Sequence, residues 1–377
     1  MRESGARYRL GTVILVDIAG EPHQSEVPDI DDAPHFLDLS GADDPTSAAV
    51  DWMTQRTSRP IDPFSDRLAE MTLIRLSDDH HFLHCFAHHV VMDGYAAQVL
   101  TARIAELYRA AVAGKEPPPN RTASIEEIGR IVEAYESSAR ADKDRAYWLG
   151  KTARLPRGVS LGDRIGPVAS PALRSLDALS GSATESLADP SLPEVPAILA
   201  AFAVYLARYT GVDEVSLSLP VSARTTAVLR RSAGSVSNVV PIRLRIAHEQ
   251  SVGDLIRGVQ VELTGALRHQ RFRYDEMLRG LEVGEIQSGV GGVFGPVVNI
   301  MQFPLRWSFG DVDAELHILS TGPIDDLSVT IYPAGEGGAT RVDFEANPSR
   351  YSEESLGRHH RRFLDFSPIS CPTCAGV

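Results

Sequence analysis

Two adjacent histidines, followed by an aspartate and a glycine, have the residue types and spacing of a proton-transfer site. The segment is His88-His89-Val90-Val91-Met92-Asp93-Gly94, which spells HHxxxDG. A histidine titrates near neutral pH and can accept a proton from an attacking amine or hydroxyl. An aspartate four residues after it can brace the loop by a buried ion pair or backbone hydrogen bonds, and glycine suits a tight turn because it tolerates positive φ. The motif therefore predicts one histidine acting as a base and one aspartate holding a turn.

The elements on either side must position these side chains. The pattern predicts a hairpin of two strands, Met71–Leu76 and His81–Ala87, joined by Ser77-Asp78-Asp79. A helix is predicted over 94–113, with Gly114 at its C-terminal end. The second strand is predicted to end in the motif, where alternation places His88 and His89 on opposite faces, so only one of them can enter a given cleft.

The histidines have two other interpretations, a metal site and a pair of structural core residues. Five histidines fall between His80 and His89, but HxxxH spacing suits a metal when it lies on a helix, and this run reads as a strand. A pair of satisfied core histidines is the second alternative. Cys371 and Cys374 form a lone CxxC without a second ligand pair, which favours an unstructured tail over a zinc site. We expect no metal.

Composition limits the function further. The chain has 377 residues, enough for two domains or one bilobal unit, and its 43% apolar content is ordinary for a soluble protein. The formal net charge of -13 argues against nucleic acid or an anionic membrane as partner. No apolar run approaches membrane-spanning length, residues 1–10 lack a signal-peptide layout, and three cysteines make no disulfide framework. A cytoplasmic protein is the expectation.

The rest of the chain alternates strand and helix patterns. We predict a strand at 11–18, a loop at 22–43, one polar helix at 124–149 and a crossover linker at 154–172. In the second half we predict a buried helix at 196–210, stopped by Gly211, an amphipathic helix at 251–269 with one apolar stripe, and a helix at 352–366. The predicted strands are 214–219, whose apolar residues alternate onto one face, and 296–303, 327–332 and 342–346.

Several segments, in order, resemble the condensation domains of nonribosomal peptide synthetases, and among them the siderophore synthetases of the enterobactin synthase component F type. The resemblance covers nearly the whole chain, to about Phe366. It rests on Pro63-Phe64, Met71–Leu76, His81–Gly94, Ile104–Tyr108, Ala146–Trp148, Ser235–Arg243 (SVSNVVPIR), His269–Phe272, Phe294–Ile300 (FGPVVNI) and Thr321–Leu327 (TGPIDDL). This ordered set is far more specific than HHxxxDG alone.

The resemblance implies an α/β fold, a pseudodimer of two mixed chloramphenicol-acetyltransferase-like lobes around a central tunnel. The lobes would be residues 1–168 and 169–366, followed by a tail at 367–377. His89 would be the catalytic histidine, His88 would support the strand end, Asp93 would be structural and Gly94 would allow the turn. Asn299 would reach the active site from the second lobe, where its amide could hydrogen-bond substrate, although a strand-end backbone cap is an equal alternative.

The same resemblance implies amide-bond formation between a carrier-bound acyl, aryl or peptidyl thioester and a carrier-bound aminoacyl group. The partners would be donor and acceptor carrier proteins and a neighbouring adenylation domain or module. No cofactor would bind directly, since phosphopantetheine carries the substrates. Arg2–Leu10 only loosely resembles the family's first motif, in which Arg7 would pair with Asp93, so the first lobe is expected to be truncated. Acyl transfer to a small soluble acceptor and a non-catalytic carrier-binding module are the alternatives.

Overall fold

The computed structural model describes residues 13–26, 33–153, 155–156, 158–179, 193–247, 249–279, 294–333 and 339–366. By its internal contacts the chain divides into two compact units. The first comprises residues 1–136, 224–237 and 303–321, and the second comprises 137–223, 238–302 and 322–377. The predicted lobes, 1–168 and 169–366, divide the chain at one point, whereas each contact unit draws on three separate stretches of chain. The lobe boundary therefore stays a prediction.

The described part of the first unit contains a three-stranded sheet, a separate hairpin and three α-helices. Strands β3, β4 and β5 form the sheet in that order, β3 parallel and β5 antiparallel to β4. The predicted β4–β5 hairpin is confirmed. The strands are β1 Val13–Ile18, β2 Glu21–Glu26, β3 His35–Asp38, β4 Ala69–Arg75 and β5 His81–Ala87, and the helices are α1 Pro45–Thr57, α2 Gly94–Val112 and α3 Ile125–Glu136.

Helix α1 covers one face of that sheet. Asp44 caps its N-terminus by accepting the Ser47 amide, and its buried Ala49 and Met53 pack against Ile74 and Leu76. A short hairpin from late in the sequence also belongs to this unit; its strands are β10 Arg306–Ser308 and β11 Asp313–Glu315.

The second unit is built on a six-stranded mixed sheet, in the order β6-β13-β12-β9-β7-β8. Its strands are β6 Leu173–Ala178, β7 Glu214–Val221, β8 Asn238–Arg245, β9 Val297–Ile300, β12 Leu327–Tyr332 and β13 Arg341–Ala346. Its helices are α4 Ala139–Thr152, α5 Glu194–Thr210, α6 Val252–Arg268, α7 Tyr274–Arg279 and α8 Glu353–Phe366. Residues of β7 are buried on both faces, so this strand is more enclosed than the predicted one-sided alternation.

Helices α5 and α6 contribute buried side chains to the apolar core of the second unit. Helix α5 is buried along most of its length, as predicted, and ends at Gly211, which takes the left-handed conformation. The stripe of α6 predicted from its spacing is buried, including Leu255, Val259 and Leu263.

Two predictions from the sequence are wrong. The predicted loop at 22–43 contains most of β2 and all of β3, because main-chain pairing with β1 and β4 stabilises polar segments that lack a strand-like pattern. The single polar helix predicted at 124–149 is two helices, since Ser138 leaves helical geometry and caps α4 by accepting the Ala141 amide. Within the described ranges, no helix is long and apolar enough to cross a membrane.

Candidate active site

The HHxxxDG motif is a turn, not the end of a strand. Strand β5 ends at Ala87, and the His88 amide donates to the Leu68 carbonyl at 2.7 Å. The His88 carbonyl then accepts the amides of Val91 and Met92 at 3.0 and 3.3 Å. The prediction that strand alternation places the two histidines on opposite faces is therefore wrong, because the turn begins at His89, directly after the hydrogen bond of the His88 amide to Leu68.

The two histidine side chains have different surroundings. His88 is half-buried, and its Nδ1 accepts the Val90 amide at 3.2 Å, so this nitrogen is unprotonated. Burial, and then the neighbouring His89, lower the pKa of His88. His89 is exposed in the turn, and no hydrogen bond from any described residue holds its imidazole. His89 is thus the histidine of the pair whose ring is open to a substrate.

Asp93 is the fixed point of the turn. Its side chain is 4% exposed, and its Oδ1 accepts the Ala96 amide at 2.8 Å, which caps α2. Its Oδ2 accepts the amides of Val236 and Ser237, each at 2.8 Å. The aspartate thus fastens the start of α2 to a segment about 140 residues away in sequence.

Arg224 completes this arrangement. Its Nη1 and Nη2 donate to the two carboxylate oxygens of Asp93, each at 2.9 Å, and Nη2 also donates to the Gly234 carbonyl at 2.8 Å. Its guanidinium lies over the Tyr95 ring at 4.5 Å. Burial alone would raise the pKa of Asp93, but the hydrogen bonds and charge of Arg224, with the amide donors, hold it below its ordinary value. Asp93 is therefore ionised at neutral pH.

Both kinds of brace anticipated for Asp93, an ion pair and backbone hydrogen bonds, are present. The arginine suggested by the sequence, Arg7, lies outside the described residues. Val236 and Ser237 fall within the SVSNVVPIR segment that the sequence singles out, so a signal for them existed. Arg224 follows the predicted strand at 214–219 without a distinguishing pattern, and only the fold identifies it.

Gly94 has a different role from the one its residue type suggests. It is the first residue of α2, and its φ is not positive, so the expectation that glycine is needed for a left-handed turn is wrong. Asp93, the residue before it, is the N-cap of α2 and is in extended geometry, with φ of -102°. A methyl group added at Gly94 would meet the Phe303 ring at 3.7 Å, an ordinary contact distance.

Asn299 lies on β9 in the second unit, opposite Thr330 of β12 in the parallel register. Its predicted part in the site stays a prediction. Among the described residues, no group of three histidine, cysteine, aspartate or glutamate side chains could hold a metal ion.

Comparison with known proteins assigns this architecture and motif to a class. The chain belongs to the condensation-domain family, whose sequence profile matches residues 10–367. It is 31% identical over 350 residues to a dimodular nonribosomal peptide synthase of Bacillus subtilis (strain 168), a match covering 91% of this chain. It is 26% identical over 344 residues, or 88% of this chain, to enterobactin synthase component F of Escherichia coli (strain K12). The predicted family is confirmed.

The solved structures agree. A double mutant of the starter condensation domain of rhizomide synthetase RzmA, in complex with C8-CoA and Leu-SNAC, superposes with a TM-score of 0.88 at 29% identity, covering 98% of this chain and 84% of that one. The predicted mixed α/β, chloramphenicol-acetyltransferase-like fold is confirmed. The chain spans only 14% and 26% of the two curated relatives, which are multidomain synthetases of much greater length.

Proposed function

We propose that this chain condenses a carrier-bound acyl, aryl or peptidyl thioester with a carrier-bound aminoacyl group, and that His89 is its general base. Amide-bond formation between carrier-bound substrates is the function of the condensation-domain family. The observation that supports it for this chain is the motif turn, in which one imidazole is open while the aspartate beside it is locked by five hydrogen bonds.

The chemistry requires little beyond proton transfer and positioning. The amine nitrogen of the acceptor attacks the thioester carbonyl carbon, the C–N bond forms and the C–S bond breaks. His89 accepts the proton that the amine loses and returns it to the departing sulfur, which leaves as the pantetheine thiol. A thioester is already activated, so the step is balanced without an added metal or redox cofactor.

His88 and Asp93 act in this proposal through the shape of the turn. The half-buried His88 closes the turn through its backbone carbonyl, and ionised Asp93 fixes the start of α2. Asn299 is proposed as a hydrogen-bond donor to the substrate carbonyl or to the intermediate.

The partners are proposed on the same basis. Donor and acceptor carrier proteins present the substrates on phosphopantetheine, and a neighbouring adenylation domain or module loads them. The similarity to enterobactin synthase supports a siderophore-type pathway, and a cytoplasmic location is proposed with it.

Carrier-to-carrier transfer tests the proposal. The purified chain is incubated with a donor-loaded and an aminoacyl-loaded carrier protein from its own gene cluster, and intact-protein mass spectrometry follows both. We expect the donor group to move onto the acceptor carrier, with no transfer when the chain is omitted.

A parallel reaction replaces the acceptor carrier with a free amino acid or a small soluble amine. Faster acylation of the soluble amine than of the carrier would replace the proposal with transfer to a small acceptor. A folded chain that binds carriers but transfers nothing would be a binding module without turnover.

A further inference from the structure

Four of the five hydrogen bonds to the Asp93 carboxylate come from one loop, residues 224–237, and the fifth comes from the Ala96 amide. Arg224 is the first residue of this loop, and Val236 and Ser237 are its last two. The loop lies between two paired strands, because Val221, the last residue of β7, is opposite Asn238, the first residue of β8. Whatever fixes the two ends of this loop therefore determines where its donors point.

The first end is held by Gln270. Ala223 immediately precedes Arg224, is 5% exposed and has φ of +52°, in the left-handed region that alanine disfavours. Its amide donates to Gln270 Oε1 at 2.9 Å. The orientation of the Gln270 amide is itself fixed, because Nε2 donates to the Leu267 carbonyl at 2.9 Å. This contact stabilises a backbone conformation that sets the direction in which Arg224 leaves the strand.

The second end is held by the same segment. Asn238 directly follows Ser237, and its Nδ2 donates to the carbonyls of Gln270 and Phe272 at 3.0 and 2.6 Å. Its Oδ1 accepts the Tyr274 amide at 2.9 Å. Residues 270–274 thus hold Ala223 and Asn238, the two residues that flank the 224–237 loop, through side-chain to main-chain hydrogen bonds.

This segment is anchored in turn to α4. His269 donates from Nδ1 to the buried Asp144 at 2.7 Å and stacks on Tyr147 with ring centroids 4.0 Å apart. The His269 carbonyl accepts the Trp148 indole N–H at 2.8 Å. A platform with this many fixed points can hold a strained residue in place.

We infer that Gln270 is a positioning residue for the condensation reaction, acting through Ala223 and Arg224 on Asp93. The part of this inference that concerns the reaction rate rests on the proposed function. The Gln270 side chain bonds the Ala223 amide and the Leu267 carbonyl, and it fixes the backbone from which the arginine reaches the aspartate.

Gln270→Ala tests this inference, with Gln260→Ala as the matched control, since Gln260 is an exposed glutamine on the neighbouring helix α6. We expect Gln270→Ala to lower kcat about ten- to hundred-fold, as small displacements of catalytic groups do, with the KM for both loaded carriers unchanged. The control should keep the wild-type rate. An equal rate for Gln270→Ala and the control would overturn the inference.

A second measurement does not depend on activity. Hydrogen exchange of the Val236 and Ser237 amides, which donate to Asp93, should accelerate about tenfold in Gln270→Ala while the amides of α8 are unchanged. If wild-type chain transfers nothing, the proposed function fails but this exchange result still decides the inference. Unchanged exchange at both amides would contradict it.

A rescue separates positioning from general loss of structure. Glycine adopts positive φ freely, so Ala223→Gly in the Gln270→Ala background should restore at least about half of the logarithmic loss in kcat. Failure of the rescue, with both variants folded by their melting transitions, would overturn the role assigned to the left-handed backbone at Ala223.

Discussion

The two units of this chain are stabilised differently. The second unit has one continuous apolar core that includes the fully buried Phe202, Phe344 and Phe363. The described apolar side chains of the first unit form two small clusters instead. Among the described residues, the unit that carries the motif thus has the smaller apolar clusters, and its turn is ordered by a buried ion pair.

The sheet of the first unit shows the same contrast. Phe36, Leu73 and Leu83 are neighbours across three strands, and they are 62%, 36% and 40% exposed. One sheet face is packed against α1 and the other presents apolar side chains to solvent. In the second unit, both faces of β7 and β12 are mostly buried. Polar contacts therefore matter more to the order of the first unit, and the following changes test that difference.

The largest effect is expected for Phe202→Ala. The Phe202 ring packs edge-on against Phe344 and Phe363, so its removal leaves a cavity costing about 3–5 kcal/mol in the free energy of unfolding. Phe36→Ala, the same change on the exposed face of the first unit, should cost less than about 0.5 kcal/mol. Urea titration of both variants measures this, and similar losses would contradict the contrast in packing.

Arg224→Ala is expected to come next. It leaves the ionised Asp93 buried without its cation, which should destabilise the protein by about 3 kcal/mol. Arg257→Ala removes a pair with Asp254 in which the arginine side chain is 73% exposed, and should cost less than about 1 kcal/mol. The difference between the two chemical unfolding midpoints is the observable. A small loss at Arg224 would mean that the amide donors alone are sufficient to hold Asp93.

Acid should weaken the second unit through α8. His360 is 1% exposed; its Nε2 donates to the Val342 carbonyl at 2.9 Å and its Nδ1 accepts the Ser175 hydroxyl at 2.8 Å. Burial is the main cause that lowers the pKa of His360, as it is for the adjacent His359. Both imidazoles therefore bind protons less readily in the folded protein than in the unfolded chain, which takes up protons below about pH 6.5.

Acid therefore lowers the free energy of unfolding through these two histidines. The stability that these histidines contribute is present above about pH 6.5 and falls as the pH drops below it, by up to about 1.4 kcal/mol per pH unit for each histidine. The unfolding free energy at about pH 7.5 and pH 5.5 should differ less in His360→Gln than in wild type. If the unfolding free energy changes as much with pH in the variant as in wild type, His360 is not a source of the loss of stability in acid.

The smallest effect is expected for Asn299→Ala. If the amide contacts the substrate, turnover should fall about tenfold, or about 1.4 kcal/mol of transition-state stabilisation, with the melting temperature unchanged. A lower melting temperature without a change in kcat would support a backbone-capping role on β9 instead.

The sequence predicts those elements whose signal is apolar periodicity or a specific capping residue. The β4–β5 hairpin, α5 with Gly211 and the stripe of α6 are of this kind. The sequence fails to predict elements that form by pairing with another strand, or that are separated by a single residue. Strand β3 depends on β4, and Ser138 divides what composition alone suggests is one helix.

The candidate site divides in the same way. Spacing alone singles out the histidine pair and Asp93 because they are close in sequence, and the family resemblance predicts His89 as the base. Arg224 is 131 residues from Asp93, and nothing local distinguishes it from the other arginines of the chain. Residue type suggests that Gly94 makes the turn, whereas the His88 carbonyl closes the turn and Gly94 is the first residue of a helix capped by the Asp93 side chain.

We propose that the exposed His89 carries out the proton transfer, whereas the half-buried His88 has a structural role in the turn. Single-turnover transfer between loaded carriers, measured for His89→Ala and His88→Ala, tests it most directly. We predict that His89→Ala loses about 10²–10⁴-fold in rate without a change in melting temperature, as expected for a general base, while His88→Ala stays within about tenfold of wild type. Near-wild-type transfer by a folded His89→Ala, or equal losses for the two variants, would contradict the account.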